Sequence, residues 1–140
     1  MTPSDNLRAH RENLVLEHIR AESARDVETA VRTFTRPKYD LRAIEGSVIE
    51  GGDAVRMLIQ GMTESLPSVT YVAEHIHHAD DAVIVEYRIT GCHDGQYAGI
   101  PATGAALDYP AVAIYEFEGP DLVEERLYLN LRGLEAQMRG

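Results

Sequence analysis

The sequence holds one cysteine, no long apolar run and no surplus of basic charge, and each shortage removes a class of protein. A lone Cys92 cannot close a disulfide within the chain, so a reducing, cytoplasmic compartment is expected. Cys92 itself reads as a small buried residue. Apolar stretches such as Ala82 to Val85 fall far short of the roughly 20 residues that a membrane helix needs. The opening Met1-Thr2-Pro3-Ser4-Asp5 has neither a basic region nor an apolar stretch, and no signal peptide is expected. Acids outnumber bases 23 to 13, a formal net charge of −10, which repels a polyanion. The arginines at 8, 11, 20, 25, 32 and 36 alternate with Glu12, Glu17, Glu22, Asp26 and Glu28, a solvated mixed face rather than a phosphate track. Neither nucleic acid nor membrane is an expected partner. No Walker loop, dinucleotide fingerprint, Gly-x-Ser-x-Gly elbow or Cys/His nucleophile pattern occurs, and no cofactor is expected.

What remains is a chain of 140 residues, 44% hydrophobic and 26% charged, suited to one domain with one core. Ser4 or Asp5 can cap a helix running to about Ala24, with Leu7, Leu14, Val15, His18 and Ile19 on one side. Asp26 can cap a second helix through Val27, Ala30, Val31 and Phe34, stopped by Pro37. A short extended piece spans Tyr39 to Ile44, followed by a turn through Gly46. Asp53 can cap a third helix, with Val55, Leu58, Ile59, Met62 and Leu66 on one face, ended by Pro67. After Pro67 the period becomes two. Strands are expected at about Val69 to Ala79, Ala82 to Thr90, Leu107 to Glu118 and Leu122 to Leu131, with a loop from Gly91 to Ala105 and a short terminal segment from Gly133 to Gly140. Helices first and strands later argue for an α+β fold. A strongly twisted antiparallel sheet curling around three helices leaves a hollow, and that is where chemistry is expected.

The loop Gly91-Cys92-His93-Asp94-Gly95-Gln96-Tyr97-Ala98-Gly99-Ile100-Pro101-Ala102-Thr103-Gly104 resembles the "GTHxGxFxGIPPTG" loop of the SnoaL-like polyketide cyclases, in the nuclear transport factor 2-like superfamily. Gly51-Gly52-Asp53-Ala54-Val55, Ala113-Ile114-Tyr115-Glu116-Phe117, Leu122-Val123-Glu124-Glu125-Arg126 and Gly133-Leu134-Glu135-Ala136-Gln137-Met138 extend the resemblance over about residues 12 to 139. It implies a cone-shaped curved sheet wrapped around the N-terminal helices, and sheets that often pair into dimers. It also implies a ring-closing aldol reaction, with a carboxylate base at position 127 and an assisting histidine at position 113. Here those positions hold Leu127 and Ala113. The limonene epoxide hydrolases, more distantly similar, would place an acid at Leu127 and an arginine and a second acid near Tyr87 and Ile89, which again do not match.

If Leu127 faces the hollow, Glu125 and Leu129 share its face. Ala113, Tyr115 and Phe117 line the neighbouring strand, and Val83, Val85, Tyr87 and Ile89 the next; Tyr71 is a further wall residue. Such a wall suits an apolar or aromatic small molecule. Glu125 is the first candidate base, because an apolar pocket raises a carboxyl pKa toward neutrality; the alternative is an exposed acid paired with arginine. Asp40, with Arg42 two residues on, is a second candidate for the hollow or else a surface ion pair. Tyr87 can donate to a developing enolate oxygen or simply pack its ring. His93 matches the family's loop histidine and either transfers protons or bonds backbone. His75, His77 and His78 lack the spacing and companions of a metal site, and no metal is expected. Three readings follow: a cofactor-free enzyme acting on a polyketide-like or other carbonyl compound by proton abstraction, leading to cyclisation or isomerisation; a non-catalytic binding protein that keeps the pocket; and epoxide-hydrolysing or oxygenating chemistry on the same scaffold.

Overall fold

The computed structural model describes residues 2–140. The elements run α1 (Asp5–Ser23), α2 (Val27–Arg32), β1 (Lys38–Asp40), β2 (Val48–Glu50), α3 (Gly52–Ser65), β3 (Thr70–His78), β4 (Ala82–Cys92), β5 (Ala106–Glu118), β6 (Asp121–Leu129) and α4 (Leu131–Arg139). Helix α1 starts where the Ser4 hydroxyl accepts the Leu7 amide at 3.2 Å. Helix α2 starts where Asp26 accepts the Thr29 amide at 3.1 Å.

Four local expectations need correcting. Helix α2 ends at Arg32, well before Pro37, because the chain then bridges at Phe34 to Leu122. Helix α3 begins on Gly51, whose φ of 94° favours glycine, while Asp53 sits exposed in the first turn against Arg56 at 2.9 Å. The extended piece stops at Asp40, since Leu41 O collects the amides of Ile44, Glu45 and Gly46 in a tight turn that returns as β2. The C-terminal segment is a helix, α4, capped by Asn130 accepting the Gly133 amide at 3.0 Å.

All strands join one six-stranded sheet in the order β2-β1-β6-β5-β4-β3. Strands β3 to β6 form an antiparallel meander, whereas β1 runs parallel to β6 and antiparallel to β2. Long strands twist, and irregular registers between Ala73 and His75 and between Glu116 and Phe117 bend this sheet further. The result is a curved α+β sheet wrapped around the N-terminal helices. Its inner face is read off the register: Val85, Ala113 and Leu127 lie in one row, and Val83, Tyr115 and Glu125 in the row beside it. Val15, Ile19, Ala30, Val31, Val55 and Ile59 from the helices pack against this face. Among the described residues, no helix is long and apolar enough to cross a membrane.

Candidate functional site

The inner face is only partly open. A vestibule of about 460 Å³ lies between α3 and the glycine-rich loop, lined by Ile44, Glu45, Leu58, Met62 and Tyr97 among others. The same five residues bound an inner chamber of about 60 Å³, which reaches Tyr71, Ile89, Tyr109, Leu127 and Leu129. Beyond Leu127 a recess of about 20 Å³ ends on Glu22, Tyr87 and Glu125. A ring system therefore needs side chains to move before it fills the interior, since even a benzene-sized cavity is about 150 Å³. A larger groove of about 550 Å³ lies outside, beside Arg36, Lys38, Glu118 and Glu124, and is crossed by ion pairs. The enclosed funnel, walled mostly by apolar and aromatic side chains, is the better candidate for chemistry.

At its closed end three elements bring charge together. Helix α1 supplies His18 and Glu22, one turn apart on its buried side, and β6 supplies Glu125. His18 Nδ1 lies 3.1 Å from Ala30 O and 2.8 Å from Thr33 Oγ1. His18 Nε2 lies 2.8 Å from the Tyr39 hydroxyl, 3.1 Å from Glu22 Oε1 and 3.2 Å from Glu125 Oε1. Tyr39 in turn donates to Glu22 Oε1 at 2.6 Å. Glu125 is 4% exposed, and its Oε1 has no aligned hydrogen-bond donor. Tyr115 sits directly across from Glu125 on β5, and the Tyr115 and Tyr87 hydroxyls are hydrogen-bonded to each other.

The charges of this cluster follow from its neighbours. Burial works against the His18 cation, but the adjacent Glu22 and Glu125 outweigh it and push the pKa up to about 10. Burial also works against the Glu22 anion, yet His18 and the Tyr39 hydroxyl hold its pKa below the usual carboxylate range. Glu125 goes the other way: burial, reinforced by repulsion from Glu22, raises its pKa despite the pull of His18 and Tyr115. Burial likewise lifts Tyr39, Tyr71, Tyr87 and Tyr115 well above the ordinary tyrosine value. One ligand atom from each of His18, Glu22 and Glu125 falls within 4.8 Å of the others. That spacing alone does not make a metal centre, because His18 Nε2 already faces the Tyr39 hydroxyl. Of the other histidines, His77 pairs with Glu86 and His78 with Glu12, each at 2.7 Å, and His75 is exposed.

Several residues proposed from sequence do not meet in the hollow. Asp40 is one residue beyond the inward Tyr39, so it lies beside Arg126 on the other face, held by Arg42 at 2.5 Å. The Arg42 guanidinium and backbone hold its pKa down at about 2, and Arg42 itself is largely exposed. His93 is buried away from the funnel, with Nδ1 2.9 Å from Thr103 Oγ1; Thr103 donates to Met138 O, so the imidazole fastens the loop to α4. Val85, Ala113 and Phe117 do face inward, but they are closed core below the recess. Phe117 lies beneath the buried Arg11, 5.3 Å from its guanidinium carbon. Tyr71, Leu127 and Leu129 line the open part, and Glu125 and Tyr87 reach its end. Cys92 is exposed rather than buried, at the end of β4. His18, Glu22 and Tyr39 escaped the sequence reading; the available signal was a histidine in the apolar stripe of the first helix with an acid four residues on.

No curated protein matches the chain. Solved structures do. A protein described as a SnoaL-like polyketide cyclase from Jannaschia sp. CCS1 is 20% identical, with a TM-score of 0.86 over 99% of this chain and 97% of that one. One described as a polyketide cyclase from Xanthomonas campestris is 21% identical, with a TM-score of 0.80 over 94% and 98%. AclR of Streptomyces galilaeus, described as a hydroxylase, is 20% identical, with a TM-score of 0.78 over 94% and 96%. At such identities the likeness is one of fold. The family profile of the SnoaL-like polyketide cyclases matches residues 13–138, nearly the whole length, and the chain belongs to that family.

Proposed function

We propose that this protein is a cofactor-free enzyme that takes a proton from carbon beside the carbonyl of an apolar small molecule, with Glu125 as the base. The observation that carries this reading is a buried carboxylate at the end of an apolar funnel, its Oε1 beside His18 but without an aligned hydrogen-bond donor. Burial raises its proton affinity toward the working range of a general base. The carbonyl compound passes the vestibule with its reactive end toward Leu127. Glu125 removes the α-proton, and the electron pair moves onto the carbonyl oxygen as an enolate. Tyr87, at the same recess, turns its hydroxyl from Tyr115 to that oxygen and stabilises the charge. In cyclisation the enolate carbon attacks a second carbonyl of the same molecule, and Glu125 returns its proton to the new alkoxide. In isomerisation the proton returns to another carbon. The family's usual base position holds Leu127, so the acid acts from two residues earlier, on the same face of β6.

The competing reading is a binding protein of the same fold, favoured by Leu127, Ala113 and the narrow chamber. Deuterium exchange separates the two. Uncharged aromatic ketones and diketones that bind the protein are incubated with it in D2O and followed by proton NMR. Label should enter beside the carbonyl with the native protein and fall by about 10²- to 10⁴-fold with Glu125→Gln, the usual worth of a general base. Binding without exchange would leave the second reading; equal exchange by Glu125→Gln would remove the base.

A further inference from the structure

The His18 site carries more hydrogen-bond information than a simple ion pair. Ala30 O is a carbonyl and only accepts, so His18 Nδ1 bears a hydrogen. The Thr33 hydroxyl spends its own hydrogen on Ala30 O at 2.6 Å and so accepts from the same nitrogen. On the other side, Tyr39 gives its hydrogen to Glu22 at 2.6 Å. The tyrosine oxygen is then left to accept from His18 Nε2, which therefore bears a hydrogen too. Both ring nitrogens are donors, the signature of an imidazolium, and neither has a lone pair free to ligate a metal or take up a proton. The ring is also locked in place: it is fully buried and meets Phe34 and Tyr115 edge-on at 5.2 and 5.8 Å.

We propose that His18 stays an imidazolium through about pH 8, where an ordinary histidine is neutral, and that His18 and Glu22 together form a positioning dyad on α1 that fixes the charge state of Glu125. This rests on Glu125 being the group that exchanges protons. The dyad neutralises itself, so any charge on Glu125 is surplus in a closed site. The groups facing Glu125 are His18 and Glu22 from α1, Tyr39 from β1, Tyr71 from β3, Tyr87 from β4 and Tyr115 from β5. The tyrosines stay neutral, since burial opposes their anions. Only two groups then act on Glu125 by charge, and they act with opposite sign. The negative neighbour favours its protonated form and the positive one its anion, so the carboxyl is held between them. His18 is thereby a fixed counter-charge rather than a proton shuttle.

Nitrogen-15 NMR of the whole protein tests the first half without any variant. Both His18 nitrogens should keep imidazolium shifts at pH 8, where an ordinary histidine is neutral. Titration followed at the carboxyl carbons of labelled glutamate tests the second half. The Glu125 midpoint should fall by about one unit in Glu22→Gln and rise by about one unit in His18→Gln, within the usual reach of a close charge. A packing defect would not move the midpoint in opposite directions. Should His18→Gln fail to fold, the nitrogen shifts and Glu22→Gln still decide. A single protonated nitrogen at pH 8, visible absorption from Co²⁺ bound at His18, or a Glu125 midpoint that stays put or rises in Glu22→Gln would overturn the proposal. None of these readouts needs a substrate, so they stand or fall apart from the exchange experiment.

Discussion

Tyr39 and Glu125 are register partners across the parallel join of β1 and β6, and both turn inward to His18. The join places a hydroxyl from a three-residue strand between the two ionised groups of α1. Tyr39→Phe removes that oxygen and leaves a buried histidine N–H and a carboxylate each short of one partner. The expected loss is about 1–3 kcal/mol, the ordinary penalty for stranding a buried polar group, measured by urea unfolding. A change below about 0.5 kcal/mol would mean that the hydroxyl does not bridge the pair.

Leu127 lines both the inner chamber and the recess at Glu125, together with Met62, Tyr71 and Ile89. Leu127→Ala should merge the two spaces. Stability should fall by about 2 kcal/mol, the low end for a leucine truncation because the side chain is only half-buried. An uncharged fluorescent dye such as Nile red should bind at least several-fold more tightly, with the gain lost in Leu127→Phe. Unaltered dye binding in Leu127→Ala would show that the funnel does not pass this residue.

The periodic parts of the fold were legible in the sequence because period reports burial directly. The four long strands, their inward rows and the stripes of α1 and α3 all follow from it. Strand β2 and the true end of β1 did not, since three residues are too few for a period and Leu41 O sets the turn. The same shortness hid which side Asp40 takes: its neighbour Tyr39 points inward, and a one-residue step reverses the face. Glu125 was legible from alternation along β6. Its companions were not, because His18 and Glu22 lie more than a hundred residues away in sequence and only the folded sheet brings them together.

Asp40 on the outer face and His18 on the inner face have opposite pH signatures. Asp40, depressed to about 2 by Arg42, contributes stability that is complete above its unfolded value near 3.8 and is lost as pH falls from there to about 2. His18, raised to about 10, contributes stability that is complete below its unfolded value near 6.5 and is lost as pH rises from there to about 10. Asp40→Asn should therefore flatten the acid limb of thermal stability and leave the alkaline limb alone. Glu22→Gln, which weakens the hold on the His18 proton, should flatten the alkaline limb. Melting temperatures at intervals from pH 2 to pH 10 would check both, and an unchanged alkaline limb in Glu22→Gln would contradict the buried pair.

The glycine-rich loop forms one wall of the vestibule through Tyr97, and its path depends on close approach to the end of α3. A Cβ placed on Gly95 would lie 2.2 Å from Ser65 O, a backbone atom that cannot step aside. Gly95→Ala must therefore push the loop off α3, at a cost of about 1–3 kcal/mol for the forced shift. Gly61, in α3 on the same vestibule, meets nothing within 4 Å. There an added methyl only favours the helix, and Gly61→Ala should stabilise by about 0.5–1 kcal/mol. Chemical denaturation of the two variants should thus give shifts of opposite sign from one kind of substitution. Dye binding should weaken in Gly95→Ala, because Tyr97 moves with the loop; a Gly95→Ala protein as stable as the native one would show that the loop does not rest on Ser65.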